Sequence, residues 1–208
     1  MTSTNGSHEA IVLLGPPGAG KGTLARRLQQ EHGFRHVDMG QVLRTRAELD
    51  DPIGRRIAIA QARGLMVPKE AVLETLVGHI SRLPHDVPLL LDGFPRTTAQ
   101  VAAADDGRVP VDVVLALSLE VPAEVARERL LGRADSGARP DDTPEVMETR
   151  LGLVQDTVEA VRTLYERRGI LESIDASRGP DEVYARALAC VSPVARVPGA
   201  EGVGASSP

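Results

Sequence analysis

Apolar residues in this chain gather in short runs separated by longer mixed stretches. Runs at 10–14, 35–37, 89–91, 113–119 and 170–174 have the length and branched aliphatic content of buried strands. The stretches between them predict helices over 23–31, 52–63, 68–83, 122–131, 143–167 and 181–191. Several open on proline (Pro52, Pro68, Pro122), which suits a first helical turn, where the missing N–H costs nothing. Alternating strands and helices predict an α/β fold, with a five-stranded parallel sheet covered by helices on both faces. Ligands of such sheets bind at the carboxyl ends of the strands. Chemistry is therefore sought just after each run: at 15–20, at Asp92-Gly93-Phe94-Pro95-Arg96, and at Asp175-Ala176-Ser177-Arg178.

The length of 208 residues and the 42% hydrophobic content allow one core with small excursions. Residues 1–8 and 192–208 are small, polar and rich in Pro or Gly, and are expected to be disordered ends around a single domain over 9–191.

The first run carries the strongest chemical signal. Gly15-Pro16-Pro17-Gly18-Ala19-Gly20 is a loop almost without side chains, and Lys21-Gly22-Thr23 then opens a helix. Glycines let consecutive backbone N–H groups turn inward into an anion nest. The helix start adds further donors and the positive end of its dipole, and Lys21 adds a mobile charge for β- and γ-phosphates. This is a phosphate cradle of the P-loop NTPase kind. The general pattern G-x-x-x-x-G-K-[ST] places a hydroxyl directly after the lysine; here Gly22 holds that place and Thr23 follows.

Composition narrows the function. A net charge of −5 gives no electrostatic case for a nucleic-acid or membrane partner. Phe34, Phe94, Tyr165 and Tyr184 are the only aromatic residues, too few for a single-strand stacking platform. A single cysteine, Cys190, excludes an intramolecular disulfide and a cysteine-based zinc site, and reads as a small apolar helix residue. His8, His32, His36, His79 and His85 show no metal-ligand spacing and read as surface or packed residues. With no signal-peptide pattern and no run long enough to span a membrane, a cytoplasmic protein is expected. Lys21 and Lys69 are the only lysines in an arginine-rich chain, and one of them lies in the cradle.

A second constellation follows the third run. Asp92 stands at a strand end, where P-loop enzymes place the acid that orients magnesium. Thr97-Thr98-Ala99-Gln100 continues the segment, and the Gln100 amide offers a donor and an acceptor for an adenine edge. Further along, Arg129 and Arg133 lie four apart on one helix face.

The loop spelling G-x-P-G-x-G-K-G-T and the segment Asp92 to Gln100 resemble the nucleoside monophosphate kinases, adenylate kinase above all. The likeness runs from about Glu9 to Cys190. Asp38-Met39-Gly40-Gln41-Val42-Leu43-Arg44 aligns with the family's S-T-G-D-x-L-R, and Gly64-Leu65-Met66-Val67-Pro68 with the loop beside the acceptor base. Gly132-Arg133 … Arg139-Pro140-Asp141-Asp142 … Arg150 resembles the lid, of the short type without room for a zinc insertion.

The resemblance implies ATP held by Gly15, Pro16, Gly18, Ala19, Gly20, Lys21, Gly22 and Thr23, with Arg129, Arg133 and Arg178 beside it. It implies AMP held by Met39, Gly40, Arg44, Met66, Val67, Gly93, Arg96, Gln100, Arg139 and Arg150. Lys21, Arg96, Arg129, Arg133, Arg139 and Arg150 take the catalytic roles, and Asp92 holds magnesium through water. An acceptor-binding flap over about 38–67, with helices over 40–63 and 68–83, and a lid over about 133–139 are further implications, as is a monomer acting on small-molecule nucleotides.

Gln41 and Met39 depart from the pattern. Gln41 stands where the family has an aspartate that helps organise the water shell of magnesium, and Met39 where it has threonine or a small residue. The expected activity is reversible transfer of the ATP γ-phosphoryl group to AMP, giving two ADP. A kinase for CMP, UMP or a specialised phosphorylated metabolite stays open on the same scaffold. So does a nucleotide-binding module with weak catalysis, which Gln41 suggests.

Overall fold

The structure, a computed structural model, describes residues 6–135 and 157–193. In chain order it runs β1 (His8–Leu14), α1 (Lys21–His32), β2 (Arg35–Asp38), α2 (Met39–Ala47), α3 (Pro52–Ala62), α4 (Lys69–Ile80), β3 (Leu89–Asp92), α5 (Thr98–Asp105), β4 (Val111–Glu120) and α6 (Ala123–Asp135). Residues 157–167 are helical and form α7; β5 (Leu171–Asp175) and α8 (Pro180–Val191) complete the described chain.

The sheet order is β2-β3-β1-β4-β5, and every pairing is parallel. The order reverses beside β1, so its carboxyl end opens at the switch point where α/β proteins take ligands. Strand alternation divides the core in two. Ala10, Val12, Leu89 and Leu91 face one layer, packed with Val72 and Leu76 of α4, Val101 of α5 and Tyr165 of α7. Ile11, Leu13 and Leu90 face the other, against Leu24 and Leu28 of α1 and Ala187 and Val191 of α8. Helices therefore cover both faces, as the alternating runs predict.

Local chemistry sets several boundaries. The helix expected over 40–63 is two helices, because Asp51 accepts N–H bonds from Ile53 and Gly54 and starts α3 afresh, with Pro52 in its first turn. Arg46 pairs with Asp51 at 2.7 Å and, with the two N–H donors, holds its pKa down at about 2. Thr97 caps α5, a helix the apolar pattern did not announce. Its short run Thr98-Ala99-Gln100-Val101 carries little helical periodicity of its own, and the cap and packing against β4 decide it. β5 lies one residue beyond the expected 170–174.

β1 starts at His8, one residue before the expected domain start, and His8 is fully buried, its ring stacked on His85 with centroids 4.1 Å apart. The residue is thus part of the sheet and not of a disordered end. Its backbone N–H donates to the Pro110 carbonyl at 2.9 Å, which registers it beside β4. The lid segment and most of the C-terminal tail lie outside the described residues. No described helix is long and apolar enough to cross a membrane.

Candidate active site

The cradle is shaped by where side chains are missing. Gly15, Gly18 and Gly20 all have positive φ, at 129°, 86° and 95°. A Cβ on Gly15 would crowd the Leu119 carbonyl oxygen, and one on Gly18 would overlap that of Ala126 in α6. The loop is therefore packed on β4 and α6 through its main chain, while Gly20, with nothing within 4 Å of a Cβ, faces open space. Gly20 is also the N-cap of α1, and no side chain caps that helix. Its start is offered to an anion instead. Lys21 Nζ donates to the Gly15 and Pro16 carbonyls, each at 2.9 Å, so the ammonium is held at the mouth of the loop.

A cleft of about 730 Å³ joins this cradle to the ends of β2 and β3. Gly15, Gly18, Gly20, Lys21, Gly22 and Thr23 line it from the cradle side. Met39, Gly40 and Arg44 of α2, Met66 and Val67 before α4, and Gly93, Arg96 and Gln100 line it from the other. Pro16 and Ala19 of the loop do not: Ala19 is buried in the α1 layer, and Pro16 contributes its carbonyl to Lys21 and to the Ala19 N–H.

The second side is built from side chains that hold one another. Gln100 Oε1 accepts the Arg96 backbone N–H at 2.7 Å, and Arg96 Nε donates to the Gly93 carbonyl at 3.1 Å. The turn containing the cis Phe94–Pro95 bond is thus tied across its base. Gly93 has φ 86°, and a Cβ there would come 3.2 Å from Arg96 Nη2, so glycine leaves room for the guanidinium. Met39 is 2% exposed and fills the floor with Leu43 and Val72.

Asp92 ends β3 between the two sides. Burial works to raise its pKa, but His36 and the charges of Lys21 and Arg96 outweigh burial, and the net shift is downward. The carboxylate is therefore ionised at neutral pH. His36 Nε2 lies 3.7 Å from Asp92 Oδ2, an ion-pair distance and not a hydrogen bond. A Cβ at Gly22 would lie 3.6 Å from the same oxygen, in ordinary van der Waals contact, which places the carboxylate directly beside the cradle. An ionised carboxylate at the edge of a phosphate nest fits magnesium held through water.

Arg129 reaches the cleft from α6 while donating Nη1 to the Ala176 carbonyl at 2.8 Å, which ties α6 to the loop after β5. Arg178, expected beside the nucleotide through the backbone of its loop, does not line the cleft with its side chain. Its side chain is 61% exposed and pairs with Asp175 at 3.1 Å and Glu182 at 3.6 Å, outside the cleft, because those carboxylates flank it within its own turn and helix. Arg133 belongs to α6 and its side chain lies outside the described residues, as do Arg139 and Arg150.

Sequence reasoning passed over His36, Asp38, Arg26 and Gln61, all close to the site: the last three line the cleft, and His36 stands beside Asp92. His36 and Asp38 share a strand face by alternation, a signal visible in the run 35–38 once its end is known.

A glycine nest at a switch point, an ionised strand-end acid and a facing arginine set define a P-loop site for phosphoryl transfer. The comparisons with known proteins agree with that geometry. The adenylate kinase family model matches residues 13–170. An adenylate kinase of Thermus thermophilus is 39% identical over 188 residues, covering 88% of this chain and 97% of that protein. Those of Xanthomonas euvesicatoria and Xylella fastidiosa are 37% and 36% identical, covering 85% and 86% of the chain and 95% and 99% of their own lengths. The chain belongs to the adenylate kinase family, and it is a nucleotide-binding phosphotransferase of the nucleoside monophosphate kinase type.

Proposed function

We propose that this chain transfers the γ-phosphoryl group of ATP to AMP, reversibly and with magnesium, giving two ADP. The observation that carries the reading is one continuous cleft with a phosphate cradle on one side and Arg44, Arg96 and Gln100 on the other. In this reading the loop N–H groups and Lys21 hold the β- and γ-phosphates. Arg44 and Arg96 hold the acceptor phosphate, and guanidinium forks fix its oxygens in orientation as well as charge. Arg129, with Arg133, Arg139 and Arg150, neutralises charge on the moving group. Gln100 meets the base edge and the 64–67 loop packs beside it.

The protein's contribution is positioning and charge stabilisation. An acceptor phosphate oxygen attacks the γ-phosphorus in line as the bond to the β–γ bridging oxygen breaks, and ADP leaves. Magnesium, held through water by Asp92, supplies charge neutralisation on the phosphate oxygens.

The test is a coupled assay with ATP and magnesium against AMP, CMP, UMP and GMP. AMP is expected to lead in kcat/KM by at least about tenfold, and Lys21→Met to lower it on the order of a thousandfold. CMP or UMP as the best acceptor overturns the AMP assignment. The buried Met39, close to the acceptor elements, is the observation that favours that second outcome.

A further inference from the structure

Position 41 is where the chain leaves its family's S-T-G-D-x-L-R pattern, and its side chain is turned along its own helix. Gln41 Oε1 accepts from Arg44 Nη2 at 2.9 Å and Nε at 3.3 Å, and Nε2 lies 3.5 Å from Thr45 Oγ1. The amide steadies the guanidinium and is not directed at Asp92. An acid stands three residues earlier, where the family pattern has serine. Asp38 is the last residue of β2 and pairs in register with Asp92, the last residue of β3.

Register partners on neighbouring strands lie about 5 Å apart and project to the same face. Val37 and Leu91 point into the layer under α4 and α5. Asp38 and Asp92 therefore leave the sheet on the other side, and both line the cleft, Asp92 beside Lys21 and Gly22 and Asp38 at the start of α2. Asp38 Oδ1 accepts the Gln41 backbone N–H at 3.0 Å as the N-cap of α2, which fixes the carboxylate in place.

We propose that Asp38 supplies, beside Asp92, the second carboxylate of the magnesium-water site, and that Gln41 is a positioning residue for Arg44. The negative charge that the family carries at the first turn of this helix has moved to its cap. Magnesium dehydrates reluctantly and is held by one or two carboxylates together with substrate phosphates, so an acid reaching its water shell from either place serves. This inference rests on the nucleoside monophosphate kinase reading.

The test uses Mn2+ as a spin probe, titrated by EPR into the full chain with a non-hydrolysable ATP analogue and AMP. Asp38→Ser keeps a capping oxygen for α2 and is expected to weaken Mn2+ binding on the order of tenfold, as loss of an outer-sphere partner does. Adding Gln41→Asp in that background is expected to restore binding to within about twofold, a coupling that a merely structural role would not produce. Unchanged Mn2+ affinity in Asp38→Ser, or no restoration by Gln41→Asp, overturns the proposal. A wild type that phosphorylates AMP alongside either result loses this inference alone, while a chain that binds no ATP analogue loses the kinase reading with it.

Discussion

The two sides of the cleft are built from different material. The donor side is main chain: three positive-φ glycines, Gly15 and Gly18 packed on β4 and α6 and Gly20 open at a helix start, with one lysine. The acceptor side is side chain: Arg44, Arg96 and Gln100, held by Gln41, by Gly93 and by each other. A main-chain site is rigid and indifferent to the base, since every nucleotide presents the same phosphates. A side-chain site carries discrimination, and it tolerates exchange of its parts. The departures at positions 38, 39 and 41 all fall on the acceptor side, while the cradle keeps the family spelling through Gly15-Pro16-Pro17-Gly18-Ala19-Gly20-Lys21-Gly22-Thr23.

Substitutions sharpen this contrast. The largest effect is expected from Gly18→Ala, which combines a left-handed backbone with overlap on the Ala126 carbonyl. A cost of about 3 kcal/mol or more, read as a fall in Tm of about 10 °C in thermal denaturation, is the expected outcome. A shift under about 2 °C would mean that the loop is not bound to α6 through its main chain.

On the acceptor side, Arg96→Ala is expected to lower kcat/KM for the acceptor about a hundredfold, with affinity for ATP within about twofold of wild type by calorimetry. Equal losses for both nucleotides would erase the distinction between the two sides.

The smallest effect belongs to the far end of the sheet and leaves both sides of the cleft alone. Burial first, and then the neighbouring His85, hold the pKa of His8 below 6.5, against the pull of the Ile80 backbone. The folded protein keeps the ring neutral, and the unfolded chain takes up the proton first as pH falls through 6.5. Stability from this group is therefore complete above that pH and declines below it. Wild type is expected to lose a few degrees of Tm between pH 7.5 and 5.5 that His8→Phe does not lose. Parallel curves for the two proteins would remove His8 as the cause.

Much of this was legible in the chain. Each strand run announced its strand to within a few residues, and the glycine spelling announced the cradle, because strand burial and backbone freedom are written in local residue type. The segment Asp92 to Gln100 announced a site in the same way, since one turn and one helix cap carry it. Arg178 shows the limit of such reading: its place after a strand says nothing of its side chain, which pairs with two carboxylates of its own turn and helix.

By itself, then, the sequence determined an α/β sheet, a glycine-rich P-loop at its switch point and most of the residues that line the cleft opposite it. Tertiary structure decided which of them meet. The pairing of Asp38 with Asp92, the approach of His36, the turn of Gln41 onto Arg44 and the burial of His8 against His85 depend on strand register and helix packing. Except for the Gln41 turn, these bring together residues far apart in the chain. A periodicity or a motif reports what one segment prefers, whereas register is fixed by how two segments bury their apolar faces together.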